Sequence, residues 1–122
     1  MTQDGRSILV VEDDEGLRSA IAAFLEGEGY SVIEAEDGEA ALRVLDSTER
    51  FCLILLDLFM PVLNGWDFRA RQLSDARLAG IPVIVITADA HAPQKALQLG
   101  AVDFMTKPLV LDRLRELVGQ HC

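Results

Sequence analysis

The chain alternates short apolar runs with segments of helical spacing, and this alternation limits the folds that it can adopt. The apolar runs have the composition of β-strands and lie at residues 8–11, 30–35, 52–56, 83–86 and 102–105. Between them, apolar residues recur every three or four positions, as they do on the buried face of an α-helix. Because strands that alternate with helices form βαβ units, the sequence predicts an α/β fold with a parallel sheet.

The polarity of the five runs predicts their places in the sheet. The runs at 8–11, 52–56 and 83–86 contain no polar residue, so helices should cover both faces of these strands. The runs at 30–35 and 102–105 include polar residues, as edge strands do. We therefore predict a flavodoxin-like doubly wound sheet with strand order 2-1-3-4-5 and five helices. In that order the ligand crevice lies at the carboxyl ends of the first and third strands.

The helices are predicted from apolar spacing and from residues that start or stop helices. The expected helical segments are one from about Leu17 that stops at Gly27 to Gly29, one that starts at Asp37-Gly38, one over Gly65 to Leu73, one from about Ala92 to Leu99, and a last one that contains Leu111, Leu114 and Val118. With 122 residues, the chain has the length of one domain, and we expect a single domain over 1–122 with no output domain.

Composition excludes several classes of function. The net charge is −9, and Lys and Arg do not cluster, so direct binding to nucleic acid is not expected. No apolar run approaches membrane-spanning length and the first residues lack an apolar signal region, so we expect a cytoplasmic protein that does not bind a membrane. Cys52 and Cys122 are then expected to be free, reduced thiols.

Polar residues follow four of the five apolar runs. Glu12, Asp13 and Asp14 follow the first, Asp57 the third and Thr87 the fourth, while Lys107 comes two residues after the fifth. Because the strands of a parallel sheet point the same way, these side chains should meet at one edge. Carboxylates with a backbone carbonyl suit Mg²⁺, and a lysine and a hydroxyl can neutralise and position a phosphoryl group. The sequence thus predicts that Asp57, at the crevice, accepts a phosphoryl group.

Four motifs occur along almost the whole chain in a characteristic order. They are I-L-V-V-E-D-D at 8–14, L-L-D-L-F-M-P-V-L-N-G at 55–65, V-I-V-I-T-A at 83–88 and D-F-M-T-K-P at 103–108. With these motifs the sequence resembles a receiver domain of bacterial two-component signalling, of the chemotaxis-regulator type. The resemblance implies that Asp57 takes a phosphoryl group from a sensor histidine kinase or a phosphotransfer protein.

The resemblance also implies a metal site. Asp13 and Asp57 would bind Mg²⁺ directly together with the backbone carbonyl of Phe59, and Glu12 would act mainly through a bound water. Asp14 is instead expected to cap the first helix, because aspartate is favoured at that position.

A switch and an output surface are implied as well. Lys107, in a peptide with Pro108 that is often cis in relatives, would pair with the phosphoryl oxygens, and the Thr87 hydroxyl would donate to one of them. Switching would draw Thr87 inward and let Phe104 rotate toward the core. The output surface in relatives is commonly the fourth helix, fifth strand and fifth helix, here within 89–99 and 109–118. The partner is unknown, and a monomer or a phosphorylation-dependent dimer is compatible with the sequence.

Three positions near the crevice depart from the commonest pattern. Glu12 replaces an aspartate, which should preserve metal binding. Phe59, two residues after Asp57, is expected to shield the phosphoryl group partly from water, and Asp89, two residues after Thr87, could order an attacking water. Trp66 is expected to be a partly buried helix anchor, and Gly65 to supply a backbone angle or close packing.

The leading interpretation is a signalling phosphoacceptor that catalyses only its own phosphorylation and dephosphorylation, and not an enzyme of metabolism. One alternative is a pseudo-receiver that docks partners without phosphorylation. Another is a phosphatase with an aspartate nucleophile, of the haloacid-dehalogenase kind. That chemistry needs an acid two residues after the nucleophile, where this chain has Phe59.

Overall fold

The computed structural model describes residues 6–47 and 49–122, so residues 1–5 of the expected domain 1–122 lie outside the described part. The strands are β1 (Ser7–Val11), β2 (Ser31–Ala35), β3 (Phe51–Asp57), β4 (Val83–Thr87) and β5 (Asp103–Thr106). The helices are α1 (Glu15–Gly27), α2 (Gly38–Leu45), α3 (Gly65–Leu73), α4 (Ala92–Leu99) and α5 (Leu111–His121). Each predicted strand and helix is present.

All neighbouring strands pair in parallel, in the order β2-β1-β3-β4-β5. Every residue of β1, β3 and β4 is buried, whereas β2 and β5 mix buried and exposed residues. The expected central and edge positions are therefore confirmed. Alternate residues of the central strands enter two separate cores, because successive side chains of a strand point to opposite faces. Leu9 and Leu56 pack with Phe68 of α3 on one face, and Val10 and Leu55 pack near Leu114 on the other.

Caps and close packing set where the helices begin at the carboxyl edge of the sheet. Asp14 caps α1 as predicted, since its side chain accepts a hydrogen bond from the Leu17 N–H at 3.1 Å. Gly65 begins α3 directly against the end of β3. A Cβ at Gly65 would lie 2.8 Å from Leu58 Cα and 2.9 Å from the Asp57 carbonyl oxygen, so only glycine allows this approach.

The expectation of two free thiols is wrong. Cys52, near the start of β3, and Cys122, after the end of α5, form a disulfide with their Cα atoms 5.1 Å apart. Both residues pack in the same hydrophobic core, on the α5 face of the sheet. The two cysteines are 70 positions apart in the sequence, so no local sequence pattern could predict their pairing.

A helix that crosses a lipid bilayer must be long and mostly apolar. Among the described residues, no helix combines that length with that apolar character.

Candidate functional site

Asp57 is the last residue of β3 and is 2% exposed. One carboxylate oxygen, Oδ1, accepts a hydrogen bond from the Phe59 N–H at 3.2 Å. Burial raises the pKa of Asp57 to about 7, and the neighbouring Glu12 carboxylate adds to this shift while Lys107 opposes it. The sheet thus holds a carboxylate where its negative charge is costly unless a cation or a proton accompanies it.

Glu12 follows β1 and is fully buried beside Asp57. Its Oε2 atom accepts a hydrogen bond from the Asp14 N–H at 3.1 Å. Its Oε1 atom lies 2.8 Å from Lys107 Nζ as an ion pair, but it receives no hydrogen bond of good geometry from the described residues. Arg18 fixes the backbone here, because its guanidinium donates to the Glu12 carbonyl at 2.8 Å. A buried carboxylate oxygen is therefore left with spare acceptor capacity.

Three carboxylates converge at this edge of the sheet. Glu12, Asp13 and Asp57 each offer an oxygen, and these atoms lie within 4.8 Å of one another. Asp13 is exposed and the other two are buried, so one side of the cluster is open to solvent. Such a set of hard oxygen ligands, one of them an incompletely bonded buried atom, fits a divalent cation such as Mg²⁺. The metal role of the Phe59 carbonyl stays a prediction, although the residue does border Asp57.

Lys107 and Thr87 complete the crevice. Lys107 Nζ lies 3.6 Å from Asp57 Oδ2, and the Lys107 N–H donates to the Thr87 carbonyl at 2.9 Å. Burial alone would lower the pKa of Lys107, but the Glu12 and Asp57 carboxylates outweigh it and raise this pKa. The ammonium group is therefore held in its charged form. The peptide between Lys107 and Pro108 is cis, as relatives of this kind led us to expect.

The two predicted switch residues occupy neighbouring strands. Thr87 is fully buried at the end of β4, and its Oγ1 atom accepts a hydrogen bond from the Asp89 N–H at 3.2 Å. Phe104 lies in β5 opposite Val85 and is partly buried against the α3 face of the core. It also lines a surface cavity of about 290 Å³, together with Val110 and Arg113 among others.

Sequence reasoning missed one group of side chains beside the crevice. The amino group of Lys95, in α4, contacts Asp89 and faces the rings of Phe59 and Trp66. Trp66 is partly buried, as expected for a helix anchor, but it also packs edge to face on Phe59. The only signal in the sequence was that Lys95 and Lys107 are the two lysines of an acidic chain.

A doubly wound sheet that brings an aspartate, two further acids, a hydroxyl and a lysine to its carboxyl edge defines the receiver class of signalling domains. This chain belongs to the response regulator receiver domain family, whose sequence model matches residues 8–119.

Curated relatives with similar sequences are bacterial transcriptional regulatory proteins. The alkaline phosphatase synthesis transcriptional regulatory protein PhoP of Bacillus subtilis is 41% identical over 105 residues, which are 84% of this chain and 42% of that protein. The phosphate regulon transcriptional regulatory protein PhoB of Pseudomonas aeruginosa is 36% identical over 118 residues, which are 95% of this chain and 50% of that protein. The chain spans about half the length of these relatives or less.

Solved structures of receiver domains have the same fold. The receiver domain of a sensor histidine kinase from Pseudomonas aeruginosa PAO1, described with a magnesium ion coordinated in its active-site cleft, is 30% identical with a TM-score of 0.86. That match covers 96% of this chain and 97% of the other. A response regulator receiver protein from Pseudomonas putida is 31% identical with a TM-score of 0.85, over 94% of this chain and 96% of the other.

Proposed function

We propose that this domain accepts a phosphoryl group on Asp57 from the phosphohistidine of a sensor histidine kinase or a phosphotransfer protein. The observation that carries the proposal is the placement of Asp57. It is a buried carboxylate with a raised pKa, 3.6 Å from a lysine ammonium and within an acidic cluster that fits a divalent cation. Membership of the receiver family supports the same assignment.

The transfer is a displacement at phosphorus. An oxygen of ionised Asp57 attacks the phosphorus atom, a P–O bond forms as the P–N bond to the donor imidazole breaks, and the imidazole keeps the electron pair of that bond. Because phosphoryl transfer depends mainly on position and on charge neutralisation, Lys107 would pair with the phosphoryl oxygens. The Thr87 hydroxyl would donate a hydrogen bond to one of them.

The acidic cluster would hold Mg²⁺. Asp13 and Asp57 would bind the ion directly with the backbone carbonyl of Phe59, and Glu12 would bind it through water by its incompletely bonded oxygen. When bound, the ion supplies positive charge that offsets the carboxylates and the incoming phosphoryl group. Lys107 also lowers the cost of keeping Asp57 ionised, so the nucleophile is available near neutral pH.

The output would be a changed surface and not a released product, so the domain is proposed as a signalling phosphoacceptor that acts as one unit over 1–122. Movement of Thr87 toward the phosphoryl group would let Phe104 turn into the core. The surface formed by α4, β5 and α5 would then meet a downstream protein or a second copy of the domain. Leu97, Val110 and Leu111 are exposed apolar residues of this surface.

The intact mass of the protein tests the proposal. The protein is incubated with acetyl phosphate or phosphoramidate and Mg²⁺, and then with EDTA in place of Mg²⁺. We expect a gain of one phosphoryl group, about 80 Da from its atomic composition, that depends on the metal and is lost with hydroxylamine. Asp57→Asn should abolish the adduct.

A cognate histidine kinase serves as a second donor in the same assay. If a fully folded protein forms no adduct with either donor, the phosphoacceptor role is wrong. A pseudo-receiver that docks partners without phosphorylation would then be the better account.

A further inference from the structure

Four side chains from two loops and two helices meet beside the Asp57 crevice. We call them the rim cluster: Phe59 from the loop after β3, Trp66 from α3, Asp89 from the loop after β4, and Lys95 from α4. Lys95 lies at its centre. Its Nζ atom is 2.5 Å from Asp89 Oδ2, 5.0 Å from the centre of the Phe59 ring and 5.6 Å from that of Trp66.

The rim cluster is bonded to the two strand ends that hold the phosphoacceptor and the hydroxyl. The Phe59 N–H donates to Asp57 Oδ1 at 3.2 Å, and the Asp89 N–H donates to Thr87 Oγ1 at 3.2 Å. Each loop is thus attached by its backbone to one side of the crevice. Lys95 contacts a side chain from each of the two loops. A continuous chain of contacts therefore links Asp57 to Thr87 through Lys95.

Both carboxylate oxygens of Asp89 accept hydrogen bonds from the protein, and one of the donors is Lys95. Asp89 Oδ1 accepts from the His91 N–H at 2.6 Å, and Asp89 Oδ2 accepts from Lys95 Nζ at 2.5 Å. Both oxygens therefore have protein donors, and these contacts lower the pKa of Asp89, with the Lys95 hydrogen bond as the largest cause. A carboxylate bound in this way is a weak base toward water. The structure thus argues against Asp89 as the residue that orders the attacking water in this state.

The aromatic side of the rim cluster is held by the same amino group. Phe59 is 52% exposed, so its ring has little packing from the core. Trp66 contacts that ring edge to face, with centres 5.3 Å apart and planes at 74°. A lysine ammonium at these distances is attracted by the faces of both rings. Lys95 and Trp66 together hold the ring of Phe59, whose backbone N–H contacts Asp57.

We propose that Lys95 is a positioning residue that prolongs the life of phosphorylated Asp57 by occupying a carboxylate oxygen of Asp89 and by holding the Phe59 ring beside the crevice. The inference rests on the proposed phosphoacceptor function. In the reaction that Lys95 slows, a water oxygen attacks phosphorus, the P–O bond to Asp57 breaks, and Asp57 and inorganic phosphate are released. The proton lost by the water passes to a base, and a freed Asp89 would be the carboxylate of the rim cluster that could accept it.

The test is the decay of the phosphorylated protein after the donor is removed, followed by intact mass. Lys95→Met keeps an unbranched side chain with a similar helix preference but removes its charge, and we expect it to decay about five- to tenfold faster than the wild type, less than a well-positioned general base contributes. Lys95→Arg keeps the charge and should stay within about twofold of the wild type. Arg43→Gln removes one positive charge from the exposed side of α2, and it should also leave the decay within about twofold, because distant surface charges are screened.

Double variants separate the positioning role from a general loss of structure. If Lys95 acts through Asp89, the Lys95→Met/Asp89→Asn protein should lose most of the acceleration seen in Lys95→Met alone. Phe59→Ala should accelerate decay by itself, about two- to threefold, through loss of shielding. Fluorescence of Trp66, the single tryptophan, should shift in Lys95→Met without a change in the far-UV circular dichroism.

Failure of this inference can be distinguished from failure of the proposed function. If the wild type is phosphorylated but Lys95→Met decays at the wild-type rate or more slowly, the role of Lys95 is wrong and the phosphoacceptor role stands. If the double variant decays as fast as Lys95→Met, the part assigned to Asp89 is wrong. A wild type that forms no adduct with any donor overturns both.

Discussion

Two of the clusters of buried polar side chains in this fold differ in how completely their hydrogen bonds are made. Arg69 and Gln72 of α3 are 7% and 0% exposed, and their hydrogen bonds are closed within the protein. Arg69 donates to the carbonyls of Leu99 and Gly100 and to the Gln72 side chain, at 3.0, 3.2 and 2.7 Å. The Gln72 amide in turn donates to two carbonyls of the segment that leads into β4.

The cluster at the carboxyl edge of the sheet is left incomplete. Glu12 and Asp57 share one lysine, Asp57 has a raised pKa, and Glu12 Oε1 is contacted by that lysine as an ion pair without a hydrogen bond of good geometry from the described residues. Burial of polar groups is tolerated where their hydrogen bonds are made and costly where they are not. The hydrogen bonds of Arg69 and Gln72 therefore stabilise the fold, whereas the acidic cluster has the capacity to accept a cation and, under the proposed function, a phosphoryl group.

The largest loss of stability is expected where the hydrogen bonds of Arg69 and Gln72 are broken. Arg69→Met would leave two carbonyls at the end of α4 and the Gln72 side chain without their donor, and we expect a loss of about 3 kcal/mol in the free energy of unfolding. Arg71→Met is the matched control on the same helix. Its exposed pair with Glu39 should contribute less than about 1 kcal/mol. Urea unfolding measures both, and equal losses would contradict the comparison.

Removal of a charge from the acidic cluster should raise the free energy of unfolding, whereas Arg69→Met should lower it. The folded-state pKa of Asp57 is about 7, above its ordinary value near 4 in an unfolded chain. Between these two values the folded protein binds more protons than the unfolded one, so this carboxyl makes stability fall as pH rises. In EDTA at pH 8, Asp57→Asn should therefore raise the free energy of unfolding by ~4 kcal/mol, since the folded-state pKa lies about three units above the ordinary one.

The same experiment has a built-in control. Below about pH 4 both proteins carry a neutral group at this position, so the difference between them should vanish. If the difference in free energy of unfolding between the two proteins stays constant from pH 4 to pH 8, burial does not raise the pKa of Asp57.

A divalent cation should complete the open cluster. Mg²⁺ at ten times its dissociation constant is expected to stabilise the wild type by about 1.4 kcal/mol, because it binds only the folded state. Asp13→Asn and Asp57→Asn should remove most of this gain, since both residues belong to the carboxylate cluster. The midpoint of thermal unfolding with Mg²⁺ and with EDTA measures the effect. An equal gain in the Asp57→Asn protein would place the cation elsewhere.

The smallest effect separates two adjacent acids. Asp14 caps α1 and lies outside the carboxylate cluster, so Asp14→Ala should cost about 1 kcal/mol of stability. It should leave the gain from Mg²⁺ unchanged, in contrast to Asp13→Asn. If Asp14→Ala loses the stabilisation by Mg²⁺, then Asp14 also belongs to the metal site.

Much of the fold followed from local sequence patterns. The apolar runs without polar residues predicted the buried central strands, and Asp14 and Gly65 predicted where helices begin. The convergence of Asp57, Thr87 and Lys107 followed from topology, because strand ends in a parallel sheet meet at one edge. These features depend on periodicity and on chain direction, which a single sequence contains.

The features that the sequence did not predict depend on contacts between distant residues. An arginine in a helix is usually exposed, so no sequence pattern indicated that Arg69 is buried. Its burial depends on hydrogen bonds to the end of α4, some 30 positions away. The disulfide of Cys52 depends on where α5 ends, and the role of Lys95 depends on how the loops after β3 and β4 approach each other. No periodic pattern encodes such pairings.

The proposed function requires that Asp57 itself receives the phosphoryl group, and chemical trapping tests this directly. Borohydride reduces an acyl phosphate to an alcohol, so that a phosphorylated aspartate becomes homoserine. After phosphorylation with Mg²⁺ and reduction, peptide mass spectrometry should find homoserine at position 57 and at no other acid of the crevice. Homoserine at position 13, or 5-hydroxynorvaline from a reduced Glu12, with an unmodified aspartate at 57, would contradict the assignment of Asp57 as the phosphoacceptor.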